Sequence, residues 1–264
     1  MKINNEDFDL RKIAESGQTF RMNEIEEGIW EIVAGDKILR ARENSRGAEL
    51  YCEDEEYYGF WENYFDMKTN YKAIRNSVDD NDLFLKKAAE MGKGIRILKQ
   101  DPYEMLITFI ISQRKNIPAI KSCVEKLSDI AGKEIEGYGK KAFPTAKELS
   151  QLTIEDLRKC SLGYRAEYIY ETARKFASGE YSVKKMSSLG DEELLERLME
   201  LKGVGIKVAS CTMLFGFHRT DAFPVDVWMK RVLSEHYPQG FEFAKYRPYN
   251  GIMQQYLFAY RRGS

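Results

Sequence analysis

Asp191-Glu192-Glu193-Leu194-Leu195-Glu196-Arg197-Leu198-Met199-Glu200-Leu201 runs into Lys202-Gly203-Val204-Gly205 and then into Ile206-Lys207-Val208-Ala209-Ser210-Cys211. The apolar residues of the first segment recur at helical spacing, so the stretch reads as helix, Gly-x-Gly turn, helix, spanning about 191–215. Gly203 and Gly205 admit positive φ and let a ligand come close to the backbone. The N–H groups that open the second helix suit a phosphate. A dinucleotide fingerprint would need a strand before the glycines, and the Walker spacing is missing, so nucleotide-cofactor binding is not indicated. Taken alone, the turn is more readily a plain glycine corner between packed helices.

Lys207 changes that balance. It falls in the first turn of the second helix beside Val208, Ala209 and Leu214, where burial and the positive helix end both favour the free amine. A free amine is a nucleophile able to form a Schiff base, whereas a charged one would simply hold a phosphate. Both readings point to a phosphate-bearing partner. Downstream, Phe223-Pro224-Val225-Asp226 leads into another helical stretch, with Asp226 as its N-cap. An N-cap aspartate is usually structural; near Lys207 its carboxylate would accept a proton and stabilise a cationic sugar.

Outward from this segment the chain divides into two styles. Gly28–Val33 and Lys37–Arg42 flank Ala34-Gly35-Asp36, a hairpin signal, and Ala48–Cys52 adds a further strand. From about Glu55 the pattern is helical. Asp101-Pro102-Tyr103-Glu104 and Thr145-Ala146-Lys147-Glu148 are helix starts, Met105–Ile111 is apolar all round as in a buried helix, and Gly179 closes a helix through Tyr168 and Phe176. The fold class expected is α+β, an N-terminal antiparallel sheet domain with flanking helices over 1–95 and a two-part helical domain over 96–264.

Composition narrows the chemistry. The 264 residues carry a net charge of −1, but residues 1–66 hold 8 basic against 17 acidic side chains while residues 201–264 hold 9 against 4. A polyanion would therefore favour the C-terminal part. The four cysteines form no C-x-x-C and the two histidines no paired motif, which speaks against a zinc knuckle, an iron–sulfur loop or a Ser-His-Asp triad. No apolar run approaches the roughly 18 residues of a membrane span, and the N-terminus lacks a signal-peptide core, so an intracellular protein is expected.

The combination resembles the helix-hairpin-helix–Gly/Pro–Asp superfamily of DNA glycosylases, and more narrowly the eukaryotic-type 8-oxoguanine DNA glycosylase/AP lyases. Gly17-Gln18-Thr19-Phe20-Arg21 is similar to that family's Gly-Gln-Ser-Phe-Arg, Leu98-Lys99-Gln100-Asp101-Pro102 to its Leu-x-Gln-Asp-Pro, Leu162-Gly163-Tyr164-Arg165-Ala166 to its Leu-Gly-Tyr-Arg-Ala, and Gln254–Phe258 to its Gln-x-x-Leu-Phe. The matches keep the family's order along most of the chain. The resemblance implies a monomer acting on double-stranded DNA containing oxidised guanine, with no metal, cofactor or membrane. It makes Lys207 the nucleophile on the sugar C1′ and Asp226 the electrostatic stabiliser and proton acceptor. It implies a base pocket formed by Phe258 and Cys211 on the two base faces, Gln254 on the Watson–Crick edge and the Gly17 carbonyl on the N7–H of the oxidised base. Asn116, Tyr164, Arg165, Gly203, Gly205 and Trp228 fall at DNA-contacting positions, Tyr164 as the wedge and Arg165 as the contact to the orphaned base.

Two departures stand out. Ala119 occupies the position of an arginine that reads the opposite cytosine, and Ser112-Gln113-Arg114-Lys115-Asn116-Ile117 replaces Ser-Ser-Asn-Asn-Asn-Ile, so relaxed opposite-base discrimination is expected. Trp228 replaces a histidine near the flipped nucleotide's phosphate. An endonuclease III-like or adenine-excising relative would carry a four-cysteine loop after the hairpin, yet no cysteine follows Cys211; alkylbase glycosylases generally lack the lysine. A non-catalytic DNA-binding module would need neither Lys207 nor Asp226.

Overall fold

The computed structural model describes residues 1–263. Strands β1 (Lys2–Asn4), β2 (Met22–Glu26), β3 (Ile29–Ala34), β4 (Lys37–Asn44) and β5 (Gly47–Tyr51) make one antiparallel sheet in the order β1-β5-β4-β3-β2. Ala34 pairs with Lys37, which leaves Gly35 (φ 60°) and Asp36 as a two-residue connection, the hairpin the sequence indicated. β1 and β2 were not expected. β2 reads Met-Asn-Glu-Ile-Glu, weak in strand formers, and owes its conformation to pairing with β3.

Between β1 and β2 lies helix α1 (Leu10–Glu15), capped by the Asp9 carboxylate and burying Leu10, Ile13 and Ala14 on one face. The loop after it turns at Gly17 (φ 78°) and is held by its neighbour. The buried Gln18 amide donates to Arg96 O at 2.8 Å and accepts from Leu98 N at 2.8 Å, while Gln100 Nε2 donates to Gln18 O at 2.9 Å. Such fully satisfied buried amides leave a loop little freedom.

The helical part contains α2 (Leu83–Met91), α3 (Pro102–Ser112), α4 (Ile117–Ala131), α5 (Arg165–Ala177), α6 (Asp191–Met199), α7 (Ile206–Phe215), α8 (Val227–His236) and α9 (Asn250–Gly263), with short helical turns between them. Asp101 caps α3 through Glu104 N at 2.8 Å with Pro102 in the first turn, and every residue from Tyr103 to Ile111 is buried. Thr145 and Glu148 form the expected capping box. α6 and α7 are the two helices of the hairpin; α7 packs on α3, and α9 on α2 and α8.

Two features had no sequence signal, a π-helical turn at Tyr57–Trp61 and a small hairpin pairing Glu134–Ile135 with Lys140–Lys141. One apolar cluster fills the sheet side and a larger one the helical body. They exchange members across the expected boundary at residue 95: Phe20, Tyr71, Ile74 and Leu85 join the helical cluster, and Leu98 the sheet cluster. Among the described residues no helix is long and apolar enough to cross a membrane.

Candidate active site

The turn between α6 and α7 shows why its glycines differ. Gly203 has φ 80°, and a Cβ there would overlap the ring of Tyr168, so both backbone and packing demand glycine. Gly205 is the N-cap of α7 with φ −92°, an ordinary extended conformation, and nothing lies within 4 Å of where its Cβ would be. Of the two expected positive-φ positions only Gly203 is one. The second glycine leaves the helix N-terminus open on its outer side, where its first N–H groups lack intrahelical partners.

Lys207 follows in the first turn of α7, half-buried, with Nζ 5.2 Å from the centre of the Phe109 ring on α3. One turn on, Cys211 is 3% exposed. Burial pushes its thiol up; the charge and hydrogen bond of Lys207 oppose that, and Asp226 adds a smaller upward push. The lysine, the thiol and the aspartate therefore share one electrostatic environment. Asp226 is the N-cap of α8, its carboxylate accepting from Met229 N at 2.8 Å. Among the described residues no ion pair joins Lys207 to Asp226 or to any other carboxylate.

Lys207 and Asp226 open onto one cleft of about 860 Å³. Gly17, Phe109, Lys207, Asp226, Trp228 and Phe258 line it, and so does the segment from Ser112 to Pro118, including Asn116. Its charged lining is Arg114, Lys115, Lys207, Lys230 and Arg262 against the single carboxylate of Asp226. Such a field favours a polyanion over a neutral ligand. Phe258, on α9, is half-buried beside Gly17, and the Arg262 guanidinium lies 5.6 Å from its ring centre while Nη1 donates to Glu15 O at 2.6 Å.

Of the remaining expected residues, Asn116 and Trp228 belong to the lining of this cleft, whereas Gln254, Tyr164 and Arg165 lie outside it. Gln254, one turn before Phe258 on α9, is 4% exposed and accepts from the Gln255 amide at 2.9 Å; like Cys211 it does not line the cleft. Asn116 caps α4, accepting from Ala119 N at 3.0 Å, with its side chain exposed. Trp228 is exposed at the start of α8, with the Arg231 guanidinium 5.4 Å from its ring centre. Tyr164 is 48% exposed at the head of α5. Arg165 next to it is buried, its guanidinium 4.4 Å from the Tyr164 ring and donating to Leu162 O at 3.2 Å and to Gln113 O. In this arrangement its hydrogen bonds go to the protein.

Sequence reasoning missed several residues of the site, among them Lys230, Arg262, Phe109 and Gln113. Phe109, under the Lys207 amine, is hidden inside an all-apolar helix that shows no periodicity. Gln113 lies in the segment noted only as a departure; its amide donates to Ile110 O at 3.1 Å and Gly203 O at 3.0 Å, tying the end of α3 to the hairpin turn. Among the described residues no group of three or more His, Cys, Asp or Glu side chains is placed to hold a metal ion.

A sheet domain, a hairpin whose second helix presents a lysine, and a Pro-Val-Asp cap facing the same cleft together define a base-excision repair fold. Residues 107–240 match the model of the HhH-GPD superfamily of base excision DNA repair proteins, and residues 1–106 match that of the 8-oxoguanine DNA glycosylase N-terminal domain. The chain is 36% identical to MBOgg1, solved in complex with a low affinity DNA ligand, covering 100% of this chain and 97% of that one with a TM-score of 0.92. It is 37% identical to the Clostridium acetobutylicum 8-oxoguanine glycosylase/lyase solved with double-stranded DNA containing cytosine opposite 8-oxoG, covering 98% and 93% with a TM-score of 0.91. It is also 29% identical to a Methanothermobacter thermautotrophicus protein named "Probable N-glycosylase/DNA lyase", over 100% of this chain and 96% of the relative. The chain belongs to the 8-oxoguanine DNA glycosylase family of the HhH-GPD superfamily.

Proposed function

We propose that this protein is a bifunctional base-excision enzyme that removes 8-oxoguanine from duplex DNA and cleaves the strand at the resulting site. The observation that carries the reading is the convergence of the Lys207 amine, the Asp226 carboxylate, the Gly17 loop and the Phe258 ring on one cationic cleft. It works as a monomer on intracellular DNA, without metal or cofactor.

A base inside a duplex is beyond reach of such a cleft, so the damaged nucleotide is flipped out, at a cost of about a few kcal/mol. Phe258 and Cys211 then sandwich the base, Gln254 meets its Watson–Crick edge and the Gly17 carbonyl accepts its N7–H. Unmodified guanine presents an acceptor at N7, and two facing acceptors cost about 1–3 kcal/mol. Asn116, Trp228, Gly203 and Gly205 contact the strand, the glycines by leaving helix N–H groups open to phosphate. Tyr164 enters the vacated stack, as intercalating side chains do, and Arg165 exchanges its carbonyl partners for the orphaned base.

The Lys207 amine attacks C1′, the glycosidic C–N bond breaks and its electron pair leaves with the base, which takes up a proton. Asp226 stabilises the cationic sugar and accepts the proton the amine loses. Opening of the sugar ring, with a proton delivered to its oxygen, leaves an imine between Lys207 and C1′. Loss of a C2′ proton then expels the 3′ phosphate by β-elimination. With alanine at 119, discrimination for cytosine opposite the lesion is weaker than in the eukaryotic enzymes.

The test is trapping. Incubation with 8-oxoguanine duplex and borohydride should reduce the imine to a covalent adduct, absent for Lys207→Gln although that variant still binds DNA. Binding by the unaltered chain without any adduct would make it a non-catalytic module instead.

A further inference from the structure

The hairpin turn and the Tyr164 loop touch each other through a closed set of contacts. A Cβ on Gly203 would overlap the Tyr168 ring, so that ring packs directly against the turn. The rings of Tyr168 and Tyr164 meet edge to face at 5.7 Å. The Arg165 guanidinium lies over the Tyr164 ring at 4.4 Å and donates to Gln113 O. The Gln113 amide returns to Gly203 O at 3.0 Å. An ion pair of Lys202 with Glu171 at 2.6 Å adds a second tie between the turn and α5.

We infer that Tyr168 is a positioning residue, which transmits the placement of the hairpin turn on the DNA backbone to the Tyr164 side chain that enters the stack. The inference rests on the reading of Tyr164 given above. Tyr168 lies one turn after Tyr164 on α5, so its ring supports the Tyr164 ring from within the same helix. Its other contact is backbone that cannot recede, because Gly203 is fixed at φ 80° and its carbonyl is engaged by Gln113. A turn seated on phosphate thus sets where Tyr164 stands, without Tyr168 touching DNA. The hydroxyl has no part in this; the ring does.

A double-variant cycle tests it, read by kcat/KM for 8-oxoguanine excision and by the fluorescence of 2-aminopurine placed beside the lesion. Tyr168→Ala should lower kcat/KM about 10-fold, mainly through KM, and remove the fluorescence rise, while Tyr168→Phe keeps both. In a Tyr164→Ala background the further change Tyr168→Ala should cost less than about 2-fold, because coupled residues are not additive. Borohydride trapping by Lys207 on a preformed abasic site should stay near that of the unaltered chain. Additive losses in the double variant, or a Tyr168→Phe defect equal to that of alanine, would overturn the inference; Tyr168→Leu serves the same cycle if the alanine variant does not fold. An unaltered chain that forms no adduct with lesion duplex overturns the proposed function itself, whereas adduct formation with additive losses overturns the coupling alone.

Discussion

Gly17 faces the ring of Phe258: a Cβ on Gly17 would stand 3.5 Å from Cε1 and 3.9 Å from Cζ of that ring. The N-terminal loop and the C-terminal helix thus form one wall of the cleft between them. These distances are ordinary van der Waals contact, so space for a methyl group exists and the obstacle to substitution is the φ of 78°. An L-residue held there costs about 1–2 kcal/mol.

Gly17→Ala should therefore lower Tm by a few degrees and turn the carbonyl away from the base. Excision of 8-oxoguanine should fall about 10-fold or more in kcat/KM, equivalent to ~1.4 kcal/mol of lost transition-state binding. Strand cleavage at a preformed abasic site, where no base is held, should be nearly unaffected. Equal losses in the two assays would show that Gly17 serves the fold and not the base.

The N-cap of Asp226 and its proposed role in excision are separable by substitution. As an N-cap it needs only an acceptor for Met229 N, which asparagine supplies about as well. For the proposed stabilisation of a cationic sugar in the cleft it shares with Lys207, it would need its charge. Asp226→Asn should leave Tm nearly unchanged yet reduce excision about 100-fold or more, within the range of a lost proton-transfer group. Asp226→Ala should add a stability loss of about 1 kcal/mol. Thermal melts of both variants beside single-turnover rates check this; an active asparagine variant would leave Asp226 a purely structural cap.

The hairpin was legible because its signals are local. The amphipathic repeat of α6, the glycines of the turn, and the caps Asp101, Thr145 and Asp226 act on residues within one helical turn. What the sequence hid is long-range. β2 is made by its partner strand, and Gln18 holds the Gly17 loop through residues 96–100. For the residues the sequence proposed as a site, the division into lining residues (Gly17, Lys207, Asp226, Phe258) and buried ones behind them (Cys211, Gln254) depends on which helix face turns inward. That is settled by packing of α7 on α3 and α9 on α2, which no short window records.

Glu104 adds a pH dependence to the fold. Burial pushes its carboxyl up to about 8, with Arg21 opposing and Asp101 and Glu125 adding to the rise. The folded protein therefore binds this proton more tightly than the unfolded chain, whose value is near the ordinary 4.5. Its contribution is fully present below about pH 4.5 and is lost as pH climbs through about 8. Glu104→Gln, neutral at every pH, should flatten the stability profile across this window and raise Tm relative to the unaltered chain at pH 8 to 9. Urea midpoints measured from pH 5 to 9 decide it: parallel curves for the two proteins would place the titration elsewhere.

Ala119 offers the sharpest probe of partner recognition. It sits in the first turn of α4, half-buried, its N–H donating to the Asn116 side chain in the segment that lines the cleft. Arginine carries donors only, in a planar fork that matches the adjacent N3 and O2 acceptors of cytosine; adenine and thymine place a donor beside their acceptors. Ala119→Arg should thus raise the ratio of excision opposite cytosine to excision opposite adenine, by about 5- to 150-fold for a bidentate pair worth about 1–3 kcal/mol. The substitution keeps the α4 cap, since only the backbone of residue 119 takes part in it. Single-turnover rates against all four opposite bases supply the measurement. A ratio that stays fixed would mean that the opposite base is read by other side chains and that Ala119 faces no nucleotide.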